Sequence, residues 1–359
     1  MRKLSKIIIA LVEVLFFASV IWATPQKVIF DTDMGNDCDD VIAFQMLLSY
    51  VKSGKADLLC VAINKDNPYS PKFTRLLSEF YGFDDLPIFI VKDGFAKEDG
   101  HFNRKTLEAK NPDGSLRFPL KNKDEKFEDS IRGLRKTLVA QPDNSVVYIS
   151  VGFLSNIARL LQSQPDDISS LSGKELVAKK VKYISIMGGG FALHKFWGNK
   201  GDKVMPEYNI KIDPPSSTYV LSNTPVDIVL SPFEVGLYLQ FPYAEVMHGF
   251  YDAKNNPASF ACNAYVYRIF ERSKVTAELD RYMWDPSSVL YVFEPHHFGI
   301  SVAGDVVLDK NAVTIFKPNP KGKIKYLILA WDVVNNRPIN QRVIVNRCAE
   351  LCRFSPKGK

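Results

Sequence analysis

The chain has 359 residues, 46% of them hydrophobic and 24% charged, with a formal net charge of +6 at pH 7. That balance excludes a disordered or low-complexity chain. Basic residues form no long run, so no nucleic-acid or membrane partner is expected, and five scattered cysteines exclude a disulfide framework.

Residues 1–23 read as a signal peptide. Arg2, Lys3 and Lys6 precede an apolar run from Ile7 to Trp22, and Ala23 stands before Thr24-Pro25. Glu13 inside the run is unusual, and the run is short for a membrane span. No cysteine near Ala23 indicates a lipid anchor. An exported protein, periplasmic or secreted, is the expectation. Without this leader the net charge is about +4, and residues 24–359 read as one domain.

Val28-Ile29-Phe30 reads as a buried strand and Val41 to Leu48 as the helix after it. Further strands are expected at Leu58 to Ile63, Pro87 to Val91, Ser145 to Val151, Val181 to Met187 and Val226 to Leu230. Helices are expected at Lys72 to Tyr81, Ser130 to Ala140 and Asn156 to Gln162. This alternation means an α/β fold with a doubly wound, mostly parallel sheet and flanking helices. Lys92 to Lys126, rich in Lys, Asp, Asn and Gly, reads as a surface insertion. After Phe298 short strands are expected, with turns at Gly304-Asp305, Asn319-Pro320 and Lys321-Gly322. Cys348 and Cys352 are either a disulfide or two packed thiols.

Between the first strand and its helix, Asp31-Thr32-Asp33-Met34-Gly35-Asn36-Asp37-Cys38-Asp39-Asp40 places five carboxylates in ten residues. Such acids repel one another unless a cation or polar ligand neutralises them. Oxygen donors suit Ca²⁺ or Mg²⁺, and no His or Cys pair nearby has zinc spacing. Cys38 reads as a small packing residue. An EF-hand loop is excluded, because glycine falls at the fifth position and Ile42 at the twelfth, where a glutamate is required.

Other segments end at the same sheet edge, where open α/β sheets bind ligands. Ser150-Val151-Gly152-Phe153-Leu154-Ser155-Asn156 follows a strand and opens a helix. Met187-Gly188-Gly189-Gly190 is followed by Gly198-Asn199 and Pro206-Glu207-Tyr208-Asn209. Glu207 and Asn209 suit sugar hydroxyls. Asn64, with Asn67 as a competitor, follows the second strand, and Met283-Trp284-Asp285-Pro286 precedes the apolar run Val289 to Phe293.

In order and spacing these segments resemble the inosine-uridine-preferring nucleoside hydrolases. The acidic run is a variant of that family's Asp-Thr-Asp-Pro-Gly-x-Asp-Asp signature, with Met34 in place of proline and two extra residues before Asp39-Asp40. The resemblance spans Lys27 to about Tyr326. It implies a nucleoside hydrolase fold and a Ca²⁺ held by Asp33, Asp40, Asp285 and the Val151 carbonyl. It implies sugar contacts from Asp39, Asn64, Met187, Asn199, Glu207 and Asn209, with Asp33 as general base. Asp31 would buttress the loop, and Asp37 competes with Asp39 for the sugar.

Trp284 stands where the best-known members carry a histidine that protonates the leaving base, and indole is too weak an acid for that task. Trp284 can instead stack on a base. None of the five histidines is placed by a motif; His194 stands out because its loop near the sugar block could close over a substrate, but a loop histidine is expected to be exposed rather than catalytic. Tyr265, Tyr267 and Phe270 could line a base pocket, although core packing of a helix is the more usual reason for such spacing. The expected activity is metal-dependent hydrolysis of ribonucleosides, small-molecule substrates, to base and ribose. Hydrolysis of another ribosyl compound and Ca²⁺-dependent ribose or nucleoside binding without turnover are the alternatives. Assembly into a homo-oligomer stays open.

Overall fold

The structure, a computed structural model, describes residues 24–194, 200–273 and 280–356; the leader read over 1–23 and Asn199 lie outside the described residues. The strands in the first two thirds of the chain are Gln26–Thr32 (β1), Ala56–Lys65 (β2), Ile88–Phe95 (β3), Glu128–Asp129 (β4), Val146–Ser150 (β5), Val181–Met187 (β6) and Asp227–Ser231 (β7). Side chains alternate between the two faces of a strand. Val28, Phe30, Val61, Ile63, Val147 and Ile149 pack into one apolar layer, while Ile29, Cys60, Ala62, Val146 and Tyr148 pack into another on the opposite face. A strand buried on both faces must be apolar at nearly every position, and this is why these strands were legible as short apolar runs.

All seven strands pair in parallel, in the order β7-β6-β5-β1-β2-β3-β4. The chain moves outward from β1 to β4, then returns to β5 on the other side of β1. The crevice at the C-terminal ends of β1 and β5 is therefore the topological switch point, where such sheets bind ligands. The expected doubly wound α/β sheet is observed. It continues through Gly304–Leu308, Thr314–Pro318 and Ile324–Ile328, the last parallel to β7 and the others antiparallel. No described helix is long and apolar enough to cross a membrane.

Helix Asp39–Lys52 opens with two acids and closes with a lysine, both favourable to its dipole, and packs against helices Trp284–Phe293 and Gln341–Cys352. Elsewhere three expectations change. Lys92 to Lys126 is not merely a surface insertion, because Phe102, Asn103, Thr106 and Phe118 within it are buried. Its polar composition hid a few inward-facing residues. Gly304-Asp305 is not a turn but begins a strand, where Gly304 lies against Phe316 with no room for a Cβ. Cys348 and Cys352 are free buried thiols.

Glu294, ending helix Trp284–Phe293, links three helices. It accepts from Tyr50 Oη at 2.9 Å and pairs with Arg347 at 2.7 Å. Burial pushes its carboxyl up, but the hydrogen bonds from Arg347 and Tyr50 outweigh that and bring it down to about 2. A depressed carboxyl stabilises the fold above its ordinary value of 4.5 and loses that contribution as pH falls towards 2. Thermal melts of Glu294→Gln should therefore lie below wild type at neutral pH, with the gap closing across that acidic window. A gap independent of pH would contradict the ion-pair account.

Candidate functional site

The loop after β1 is tied down residue by residue. Thr32 Oγ1 donates to the Asp40 carboxylate and accepts from the Met34 amide at 3.1 Å. Asn103 holds the Met34 carbonyl at 2.8 Å and presses against Gly35, whose φ of +126° suits glycine alone. Asn36 donates to Asp33, and Lys65 Nζ bridges Asn36 and Glu98, each at 2.9 Å. From the far side, Asp39 accepts the amides of Trp284 and Asp285 at 3.1 and 3.2 Å. This caps the N-terminus of helix Trp284–Phe293 and carries Asp285 to the acidic loop.

Oxygens of Asp39, Asp40 and Asp285 lie within 4.8 Å of one another, all three residues being buried. Burial, reinforced by repulsion from neighbouring aspartates of the loop and site, pushes all three carboxyls well above the usual range. Burial likewise raises Asp33 to about 6, partly offset by Asn36 and Lys65. Converging buried carboxylates that resist ionisation fit a divalent cation, and an all-oxygen set suits a hard one. Asp39, read as a sugar contact, is thus grouped with Asp40 and Asp285 as acids placed to hold a cation, whereas Asp33 lines the same cavity outside that trio.

Asp31 lies behind. It receives Asn64 and Tyr148 at 2.8 Å and Asn156 at 3.0 Å, and burial nevertheless raises it to about 7. The buttress role read for it agrees with this position. Asn64 spends its amide on Asp31 and its carbonyl on the Phe153 amide, and is not part of the cavity lining. Asn67 caps Tyr69 and binds the Lys97 and Glu98 carbonyls.

Across the crevice, Glu207 caps helix Tyr208–Ile212 and also accepts the Gly189 amide. Burial raises its carboxyl to about 7, against three backbone hydrogen bonds. Asn209 Nδ2 reaches the Val151 carbonyl at 3.1 Å and the Met187 sulfur at 3.2 Å. Asp33, Asp39, Asp40, Val151, Met187, Glu207, Asn209, Trp284 and Asp285 all line one cavity of about 570 Å³, a size suited to a small ligand.

The cavity has further walls that sequence reasoning missed. Arg281 pairs with Asp37 at 2.9 Å and lies over Tyr265, whose hydroxyl also binds Asp37 at 2.7 Å. Asp37 is thus engaged on this wall. Arg281 stands four residues before Asp285, and that proximity was the only signal for it. His101 stacks on Tyr265 from within the supposed insertion. His194, expected to be exposed, is buried against Phe233. Tyr267 is exposed, and the Phe270 side chain lies outside the described ones.

Gly152 is where β5 hands over to the site. A Cβ there would meet the Asp33 amide at 2.5 Å and the Asn64 side chain at 2.6 Å. Gly152→Ala should cost about 1–3 kcal/mol in chemical denaturation through overpacking, and should weaken cation binding by moving Asp33. Unchanged stability and binding would show that this close approach is dispensable.

Comparison with known proteins agrees with this arrangement. Uridine nucleosidase of Saccharomyces cerevisiae is 26% identical over 223 residues, 56% of this chain. The chain spans 61% of the length of that curated relative. Among solved structures, a plant nucleoside hydrolase, PpNRh1, superposes with a TM-score of 0.68 at 18% identity, covering 92% of this chain and 99% of that one. The purine-preferring ribonucleoside hydrolase of Gardnerella vaginalis gives 0.67 at 15% identity, over 91% and 99%. At such identity these two establish the shared fold. The family model described as inosine-uridine preferring nucleoside hydrolase matches residues 28–348, and the chain belongs to that family.

Proposed function

We propose that the protein hydrolyses the N-glycosidic bond of ribonucleosides, releasing base and ribose, with Ca²⁺ as its cofactor. The observation that carries this reading is the cluster of buried carboxylates at the switch point, facing Glu207 and Asn209 across one cavity. Asp33, Asp40, Asp285 and the Val151 carbonyl would hold the ion, with Asp39 as a further converging carboxylate. Bound there, Ca²⁺ would supply positive charge that acidifies a water and orders the sugar hydroxyls.

The remaining work falls to side chains. Asp33 takes the proton of the attacking water. Asp39, Met187, Asn199, Glu207 and Asn209 orient the ribose, and Asn64 acts from behind by fixing Asp31 and the Phe153 amide. Trp284 offers its ring face to the base. The developing oxocarbenium charge on the sugar is stabilised by the surrounding carboxylates. Residues 1–23 are proposed as a signal peptide, on the charge and hydropathy layout described above, and residues 24–359 as one exported catalytic domain.

A second reading, hydrolysis or binding of another ribosyl compound, is favoured by Trp284, which removes the expected acid from its usual place. One structural relative is a type III effector, XopQ, solved with adenosine diphosphate ribose, with a TM-score of 0.63 and 13% identity.

Ribose release from purine, pyrimidine and nicotinamide nucleosides, with Ca²⁺ and after chelation, tests the first reading. Chelator-sensitive release from any of them supports it; ribose binding without release favours the second. In the same assay Asp33→Ala should abolish turnover, and near-normal activity would remove Asp33 from the mechanism.

A further inference from the structure

A base leaving ribose takes the bonding electron pair with it, so its departure is eased by a proton delivered to one of its ring nitrogens. Trp284 is one of the rings that line the cavity, and its Nε1–H is committed to the Phe233 carbonyl at 3.0 Å. Trp284 stacks on Phe233 with ring centroids 5.3 Å apart, and Phe233 meets the His194 imidazole at 4.5 Å. The series begins at the residue beside Asp285 and reaches His194 in two ring contacts. His194 is its first group that exchanges a proton near neutral pH.

His194 is only 8% exposed, yet it lines the cavity. Its Nδ1 is sealed without a hydrogen-bond partner, which leaves Nε2 to meet a ligand. The chain before it is pinned: the Gly190 amide binds Thr314 Oγ1 at 2.9 Å, and the Phe191 amide binds the Glu234 carboxylate at 3.1 Å. Glu207 and Lys211 line the same cavity and Glu234 holds the Phe191 amide, both glutamates being engaged by backbone amides. Burial holds the imidazole below its ordinary value of 6.5. His101, on the opposite wall, shares the Tyr265 ring with the Arg281 guanidinium, and a second positive charge there would be repelled.

We propose that His194 is the acid that protonates the leaving base, a role that rests on the nucleosidase reading above. As the C1′–N bond breaks, its electron pair stays with the base, and the imidazolium Nε2–H passes its proton to a base nitrogen. Water adds to C1′, its proton goes to Asp33, and neutral His194 is reprotonated from solvent.

The test compares wild type with His194→Gln and with His194→Phe, which keeps a ring against Phe233. The substrates are a natural nucleoside and 4-nitrophenyl riboside, whose leaving group departs as a stable anion. Both variants should lose about 10²–10⁴-fold in kcat on the nucleoside and less than about tenfold on the aryl riboside, with KM little changed. Because the imidazolium is lost as pH rises, wild-type kcat on the nucleoside should fall on the alkaline side of a value below 6.5, and that fall should vanish in both variants. Equal losses on the two substrates, or an active His194→Phe, would overturn the proposal while leaving the nucleosidase reading intact. A wild type that cleaves the aryl riboside but no nucleoside would overturn both.

Discussion

Asp33, Asp39, Asp40 and Asp285 are held out of water within one crevice, and most of the local structure can be understood as a response to that. Removing a carboxylate from water costs several kcal/mol unless something replaces the lost solvation. Here the replacement is partial. Asp39 and Asp40 sit in the first turn of their own helix, and Asp39 also accepts two amides at the start of helix Trp284–Phe293. Two helix N-termini therefore point positive potential at one place. Lys65 reaches Asn36 rather than the acids directly, and Arg281 is engaged with Asp37. The charge left uncompensated is what suits the trio of Asp39, Asp40 and Asp285 to a cation rather than to a structural ion-pair network.

Such a site needs a stiff mounting, because repelling charges move apart when they can. Behind the acidic loop, Asp31, Asn64, Asn156 and Tyr148 form a buried hydrogen-bonded set that joins β1, β2, β5 and the helix after β5. At the other end of the same helices, Tyr50, Glu294 and Arg347 tie the helix bearing Asp39 and Asp40 to the one bearing Asp285. Both sets lie away from the cavity lining. They act on it by fixing the spacing of two backbone segments distant in sequence.

The parallel strands were legible because βαβ units leave a repeating trace: a run buried on both faces, a turn, then an amphipathic helix. The acidic turn and the Glu207–Asn209 block were legible for a related reason, since their residue types are expensive in a core and have little use in an ordinary turn. His101 left no such trace, and His194 left only its place in a loop near the sugar block. Each sits in an irregular segment without period, where a buried residue and an exposed one look alike in sequence. Phe102 and Asn103, hidden among charged neighbours, were missed for that reason too.

The sequence by itself determined the layering, the doubly wound and mostly parallel character of the sheet and the edge at which the acids gather, because these follow from hydrophobic periodicity and from the chemistry of carboxylates. Only the tertiary structure decided which acids converge, that Asp39 caps the helix carrying Asp285, and that Arg281 and two histidines complete the walls. The physical reason is reach. Periodicity records what each residue does relative to its near neighbours, whereas a site is made by side chains brought together across hundreds of residues, at distances that no local pattern encodes.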